Sequence, residues 1–117
     1  MQLRCLIVDD NEAFLASASR LLQSEGLEVV GAATNGDAGL RLAAETNPDV
    51  ALVDVELGEE DGVELSRLLN SGAQPVPVIL ISTHPEEDLA ELMASSPAAG
   101  FIAKSKLSAD AVKALLG

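Results

Sequence analysis

The chain has little of several residue types on which common classes of protein depend. Its 117 residues include no tryptophan, no tyrosine, two phenylalanines and one cysteine. The single cysteine, Cys5, cannot form an internal disulfide, and the sequence has no cluster of cysteine and histidine that would suggest zinc. No apolar run approaches the roughly 18 residues that a membrane helix needs. A strand-like run begins at Leu3, which leaves no room for a signal or transit peptide, so we expect a cytoplasmic protein with no membrane partner.

Basic residues are also scarce. The 7 lysines and arginines stand against 19 aspartates and glutamates, which gives a formal net charge of -12 at pH 7. Because nucleic-acid backbones reward lysine and arginine, we expect no direct nucleic-acid binding by this chain. Apolar residues make up 48% of the sequence, which is enough for a packed core and argues against disorder. The length is that of one domain, and without a linker or repeat we expect residues 1–117 to form it alone.

Short apolar runs alternate with amphipathic segments along the chain. Runs of this kind cover residues 5–8, 27–34, 50–53, 78–81 and 100–103. Continuous apolar runs are typical of strands buried on both faces, as in a parallel sheet. Between and after the runs, apolar residues recur at helical spacing in residues 14–22, 38–43, 63–69, 89–93 and 112–116. The pattern predicts an α/β fold in which a doubly wound, five-stranded parallel sheet carries helices on both faces.

Details of the helical segments predict their ends and their inner faces. Gly26 and Ser71-Gly72 are placed to end the first and third helices, and Ser108 to cap the last one. The apolar positions of the first and third helices, Leu21 and Leu68 among them, are expected to face inward.

Polar side chains follow four of the five runs, at the point where each predicted strand ends. They are Asp9 and Asp10, Asp54, Ser82 with Thr83, and Lys104. In an open α/β sheet these strand ends converge on one crevice, where ligands bind. Three carboxylates in one place repel each other unless a cation neutralises them, and an all-oxygen site suits Mg²⁺. With a lysine and a hydroxyl they form a cradle for phosphoryl oxygens, and one carboxylate is left as a nucleophile.

Each of these residues also has a purely structural interpretation. Aspartate, asparagine, serine and threonine are common helix caps, an isolated lysine is usually solvated, and Asp61-Gly62 is a common turn pair in which glycine allows a positive φ. Phe101 taken alone indicates core packing. The joint occurrence favours the site, because each structural interpretation predicts nothing about the others.

Five segments together resemble a known family. They are Val8-Asp9-Asp10, Val53-Asp54-Val55, Asp61-Gly62, Ile81-Ser82-Thr83 and Phe101-Ile102-Ala103-Lys104. In this order, and over almost the whole chain, they resemble the CheY-like receiver domains of two-component response regulators. The resemblance implies a flavodoxin-like (βα)5 fold with strand order 2-1-3-4-5.

The resemblance also implies a chemistry for the carboxylates. Asp54 corresponds to the phosphoacceptor, which takes a phosphoryl group from a histidine of a sensor kinase. Asp9 and Asp10 correspond to the acids that hold Mg²⁺ together with Asp54 and the backbone carbonyl of Glu56. The second acid of the pair, here Asp10, is usually the direct ligand in the family.

Three further residues match the family's phosphoryl contacts and switch. Lys104 corresponds to the lysine that pairs with a phosphoryl oxygen, and Ser82 to the hydroxyl that hydrogen-bonds another. Phe101 corresponds to the aromatic residue whose rotation follows that hydroxyl. Phosphorylation then shifts the populations of two pre-existing conformations.

Two departures from the family pattern bear on the output. The usual Met-Pro after the phosphoacceptor is Leu57-Gly58 here, and the frequent proline after the lysine is Ser105. Leu57-Gly58 and residues 104–108 look like receivers of NarL/LuxR-type transcription factors, in which a linker and a helix-turn-helix domain follow. The chain is then an excised or a stand-alone receiver, with transcription as the expected output and a homodimer on phosphorylation as a possible assembly.

Two other functions compete with this one. A degenerate receiver would act as a phosphorylation-independent interaction module, but such forms typically lose one of the site residues. A phosphohydrolase of the haloacid dehalogenase kind would want Asp-x-Asp-x-Thr, whereas the chain has Asp54-Val55-Glu56-Leu57-Gly58.

Two hypotheses concern residues around the site. Glu56 and His84, each two residues beyond a site residue, are expected to flank its mouth, where Glu56 would orient or exclude the water that hydrolyses the acyl phosphate. Ala13, Phe14 and Ser17 lie where family members meet their kinases. Phe14 is either a partly exposed anchor for that partner or a core residue.

Overall fold

The computed structural model describes residues 2–72, 74–83 and 98–116. Five parallel strands form one sheet: β1 (Arg4–Val8), β2 (Glu28–Ala33), β3 (Val50–Asp54), β6 (Val78–Ser82) and β7 (Gly100–Ala103). Their spatial order is β2-β1-β3-β6-β7. Two short strands, β4 (Glu56–Leu57) and β5 (Glu60–Asp61), form a separate hairpin. If the five strands of this sheet are numbered without the hairpin, their spatial order is 2-1-3-4-5. The predicted fold class is therefore confirmed.

Burial follows position in the sheet. All residues of β3 and β6 are buried, as are the last four of β1, whereas the edge strands β2 and β7 are only partly buried. The central strands have neighbours on both sides and helices above and below, which is why their sequences are continuously apolar.

Four helices flank the described sheet: α1 (Glu12–Ser24), α2 (Gly36–Thr46), α3 (Gly62–Ser71) and α4 (Ala109–Leu116). Each begins at a polar cap. The side chains of Asn11, Asn35, Asp61 and Ser108 accept hydrogen bonds from backbone N–H groups in the first turns of α1, α2, α3 and α4. The helix expected around residues 85–93 lies outside the described residues.

The sheet separates two hydrophobic clusters. Cys5 and Ile7 of β1 pack in the cluster with α1 and α4, while Leu6 and Val8 pack in the cluster with α2 and α3. Alternate side chains of one strand thus enter opposite layers, as expected for helices on both faces. Leu21 and Leu68 depart from the prediction, because they are 39% and 48% exposed. None of the described helices has both the length and the apolar character that crossing a bilayer requires.

The hairpin between β3 and α3 was not predicted. Glu56 pairs with Asp61 and Leu57 with Glu60, and Gly58 takes a positive φ of 64° in the turn. Gly62, directly after β5, does not have the positive φ expected of the Asp61-Gly62 pair, since the positive-φ glycines of the described chain are Gly26 and Gly58. Gly62 is needed for a different reason: a Cβ there would collide with the backbone carbonyl oxygen of Asp54. The absence of a side chain lets α3 start against the end of β3.

Candidate functional site

The predicted site residues meet at the carboxyl edge of the sheet. Asp54 and Ser82 are the last residues of β3 and β6, and Asp9 and Lys104 directly follow β1 and β7. Parallel neighbours in register bring these strand ends side by side. They surround a cavity of about 300 Å³, which is lined by Asp10, Asn11, Asp54, Glu56, Gly58, Ser82, Thr83 and Lys104.

Lys104 lies at the centre of the site. Its Nζ lies 2.6 Å from Asp9 Oδ2 and 3.2 Å from Asp54 Oδ2, and its side chain is only 14% exposed. Asp9 is fully buried and Asp54 nearly so, while Asp10 is exposed at the mouth of the cavity. One ammonium therefore joins two buried carboxylates that come from different strands.

Backbone N–H groups orient the other oxygens of these two carboxylates. Asp9 Oδ1 accepts a hydrogen bond of 2.8 Å from Asn11 N, and Asp54 Oδ1 accepts one of 3.1 Å from Glu56 N. Asp9 Oδ2 is buried and is paired with the Lys104 ammonium at 2.6 Å.

Burial and charge shift the pKa of both central groups. Burial raises the pKa of Asp54, with a further increase from the Asp9 carboxylate, and the Glu56 N–H and Lys104 counteract only part of this. For Lys104, burial lowers the pKa, but the contact with Asp9 and the charges of Asp54 and Asp9 outweigh it, so the pKa is raised. Lys104 is thus held firmly in its charged form.

The three carboxylates fit a divalent cation. One oxygen each from Asp9, Asp10 and Asp54 lies within 4.8 Å of the others. All these oxygens are carboxylate oxygens, which hard cations such as Mg²⁺ prefer as ligands. Glu56, whose carbonyl was expected to be a fourth ligand, is exposed on the rim of the same cavity.

The remaining predicted residues have different surroundings. Ser82 is buried at the cavity wall, and Phe101 is half-buried and packs against the cluster of α2 and α3. Thr83 is exposed. His84 lies outside the described residues.

Phe14 has a contact that the sequence did not indicate. The centre of its ring lies 4.4 Å from Lys104 Nζ, a cation–π distance, and the residue is half-buried against the cluster of α1 and α4. The sequence predicted that Phe14 is either a partly exposed anchor for the kinase or a core residue. The only signal for the contact was that the first turn of α1 and the end of β7 meet at the same edge of the sheet.

Comparison with known proteins identifies the family. The sequence model described as the response regulator receiver domain matches residues 5–116. The chain belongs to this family. Receiver domains are signalling modules of two-component systems, work with sensor kinases and in general bind Mg²⁺ and carry a phosphoryl group. The residues that carried the resemblance therefore identified the family correctly.

Several relatives are transcription regulators. The chain is 34% identical to the probable transcriptional regulatory protein NarL of Mycobacterium tuberculosis, covering 98% of this chain and 54% of that protein. It is 33% identical to the virulence-factor transcription regulator BvgA of Bordetella pertussis, covering 86% of this chain and 48% of BvgA. The chain thus spans about half the length of these relatives.

Solved structures agree with the fold. The receiver domain of the putative response regulator NarL from M. tuberculosis superposes with a TM-score of 0.83 at 34% identity, covering 98% of this chain and 94% of that one. A response regulator from Burkholderia pseudomallei, solved with a phosphorylated aspartic acid, a calcium ion and citrate, has a TM-score of 0.82 at 25% identity, covering 99% and 67%.

Proposed function

We propose that the chain accepts a phosphoryl group on Asp54 from a histidine of a sensor kinase, in a reaction that depends on Mg²⁺. The observation that carries the proposal is the contact of the Lys104 ammonium with both Asp9 and Asp54, beside a cavity that Asp54 and Lys104 line. Further support comes from the B. pseudomallei relative, which was solved with a phosphorylated aspartic acid and a calcium ion.

The carboxylate of Asp54 is suited to be the nucleophile. It lies at the end of a buried strand and faces an open cavity, with Oδ1 oriented by Glu56 N and Oδ2 by Lys104. An Asp54 oxygen attacks phosphorus as the bond from phosphorus to the kinase imidazole nitrogen breaks. The phosphoryl group moves to Asp54 as an acyl phosphate, and the imidazole recovers its lone pair.

The neighbouring residues stabilise charge during this transfer. Lys104 supplies a fixed positive charge to a phosphoryl oxygen, and the buried hydroxyl of Ser82 is in reach of the same cavity. Asp9, Asp10 and Asp54, with the carbonyl of Glu56, would hold Mg²⁺, which neutralises the oxygens of the incoming group when bound.

We extend the proposal to the signal that follows. Phosphorylation would shift the conformational equilibrium through Ser82 and Phe101, and Glu56 and His84 would set the lifetime of the acyl phosphate. The transcription regulators among the relatives support a transcriptional output in the cytoplasm through a DNA-binding domain outside this sequence. We also propose that residues 1–117 form one receiver unit. Phosphorylated chains would associate as a homodimer.

The direct test is intact mass after incubation with acetyl phosphate, a small phosphoryl donor. We expect one phosphoryl adduct that requires Mg²⁺, disappears in Asp54→Asn and persists in Asp37→Asn, whose carboxylate lies at the exposed start of α2. An adduct that survives Asp54→Asn would contradict the assignment of the acceptor.

Beryllofluoride separates the proposal from its alternative. A chain that forms no adduct but binds this phosphoryl mimic at Asp54 in the presence of Mg²⁺ is a receiver that accepts only from its kinase. A chain that neither forms the adduct nor binds beryllofluoride is a phosphorylation-independent interaction module.

A further inference from the structure

We propose that Phe14 is a positioning residue for Lys104, whose ring face holds the ammonium at the place where a phosphoryl oxygen binds. The inference rests on the proposed function, because Lys104 is the residue it assigns to that oxygen. It starts from the distance of 4.4 Å between Lys104 Nζ and the centre of the Phe14 ring.

The ammonium contacts two kinds of negative surface. Asp9 Oδ2 is 2.6 Å and Asp54 Oδ2 is 3.2 Å from Nζ, and the electron-rich face of Phe14 has its centre 4.4 Å from the same nitrogen. The Lys104 side chain is 14% exposed, so water competes little for it. A cation–π contact is strongest under such conditions of partial desolvation.

Four contacts form a closed ring that includes this one. Asp9 Oδ1 accepts from Asn11 N at 2.8 Å, and the Asn11 side chain accepts from Phe14 N at 3.1 Å. The Phe14 ring faces Lys104 Nζ, which returns to Asp9 Oδ2. The buried aspartate thus fixes the first turn of α1 through Asn11, and that turn fixes the ring over the lysine.

Phe14 differs from the other partners of Lys104 in one respect. Asp9 and Asp54 are also the carboxylates assigned to the cation and to the phosphoryl group. The attraction between ring and ammonium does not depend on what these carboxylates bind. Lysine has a long, flexible stem whose freedom is costly to restrict, so a partner that stays unchanged keeps the ammonium in place.

The first measurement is the NMR spectrum of the unphosphorylated protein. The chain has three lysines, Lys104, Lys106 and Lys113. The ring current of Phe14 is expected to shift the Hε signals of Lys104 upfield of those of the other two. In Phe14→Leu, which retains an apolar side chain without a ring, this shift should disappear.

The second measurement is beryllofluoride affinity in the presence of Mg²⁺. Replacing Phe14 by trifluorophenylalanine keeps the shape of the ring and removes most of its negative face. We expect this replacement and Phe14→Leu to weaken binding about 2- to 30-fold, the range that cation–π energies correspond to. Phe14→Tyr, which keeps the aromatic face, should bind beryllofluoride with the affinity of the wild type.

The outcomes are distinct. A merely structural ring would leave affinity unchanged on fluorination, and that result, or Lys104 Hε signals at ordinary positions, would overturn the inference. If the wild-type chain neither binds beryllofluoride nor forms the acetyl phosphate adduct, the proposed function fails and the role of Phe14 in it fails too. The NMR shift would in that case still decide whether the contact itself exists.

Discussion

The carboxylate of Glu60 accepts hydrogen bonds from the backbone N–H of Gly36, with oxygen–nitrogen distances of 3.1 and 3.3 Å. Gly36 is the first residue of α2, where free N–H groups and the helix dipole attract a negative charge. Glu60 belongs to the hairpin that follows Asp54. The loop of the site is therefore attached to a helix that contributes no residue to the site.

Removing the Glu60 carboxylate should destabilise the fold. Glu60→Ala is expected to lower the free energy of unfolding by about 1 kcal/mol, the usual cost of losing a helix cap and its charge. Glu60→Gln keeps a hydrogen-bond acceptor without the charge, so its stability should lie between those of the wild type and Glu60→Ala. Urea unfolding at pH 7 measures the difference, with Glu59→Ala, an exposed acid of the same turn, as the control. Equal effects of Glu60→Ala and Glu59→Ala would contradict the role of this contact.

Gly62 should tolerate no side chain. A Cβ at this position would collide with the carbonyl oxygen of Asp54, so Gly62→Ala forces α3 away from β3. We expect a loss of about 3 kcal/mol, at the upper end of overpacking costs. Gly72→Ala is the matched control, because a Cβ at this helix end meets nothing within 4 Å and its φ is -72°. It should change stability by less than about 0.5 kcal/mol, and a similar result for Gly62→Ala would refute the close approach.

Asp54→Asn should stabilise the folded protein at neutral pH. Burial raises the pKa of Asp54 from its ordinary value of 3.8, so the folded state disfavours the ionised carboxylate. This penalty is complete above the raised pKa, and it fades as the pH falls through the raised pKa towards 3.8. Urea unfolding without Mg²⁺ should show a more stable variant at pH 7 and a shrinking difference in acid. A variant less stable than wild type at pH 7 would mean that the Lys104 ion pair outweighs burial.

Cys5 should be unreactive until the protein unfolds. Burial raises the pKa of its thiol from 9.0 to about 12, and the thiolate is the reactive form. Alkylation by iodoacetamide at pH 8 is expected to be at least about 100-fold slower in buffer than in concentrated urea. Comparable rates in the two solvents would contradict the burial.

The same shift has a consequence for stability in alkali. Because the unfolded chain ionises its thiol first, the contribution of Cys5 to stability is complete below pH 9.0 and is lost between 9.0 and about 12. The loss amounts to about 1.4 kcal/mol per pH unit in that range. It should be absent in Cys5→Ala, which serves as the control.

The buried strands and the site at their ends could be predicted because their signals are local. Each of the five apolar runs forms a strand within one residue of its expected ends. The pattern is clearest in the central strands β1, β3 and β6, because a strand covered on both faces has no polar position to interrupt it. The residues directly beyond those runs were then placed by topology alone, as Asp54 and Lys104 illustrate.

The parts that were missed depend on contacts between distant segments. The two-residue strands of the hairpin are too short for any periodicity, and the close approach of Gly62 to Asp54 joins residues whose contact no local pattern indicates. Nothing in the sequence near Glu60 indicates Gly36 as its partner. Leu68 has the spacing of a core residue, but it lies at the edge of the inner face of α3, which the helical pattern does not resolve.

The contact between Lys104 and Asp9 joins the ends of two strands that are not neighbours in the sheet. In the part of the sheet that the structure describes, β7 is an edge strand hydrogen-bonded to β6, and Lys104 directly follows it. Asp9 follows β1, which is separated from β7 by both β3 and β6. The edge strand is therefore tied to the middle of the sheet by a side chain, at the end where the proposed phosphoryl site lies. Amide hydrogen exchange at the end of β7 should consequently respond to the charge on Asp54, which lets a local chemical event alter how tightly an outer strand is held.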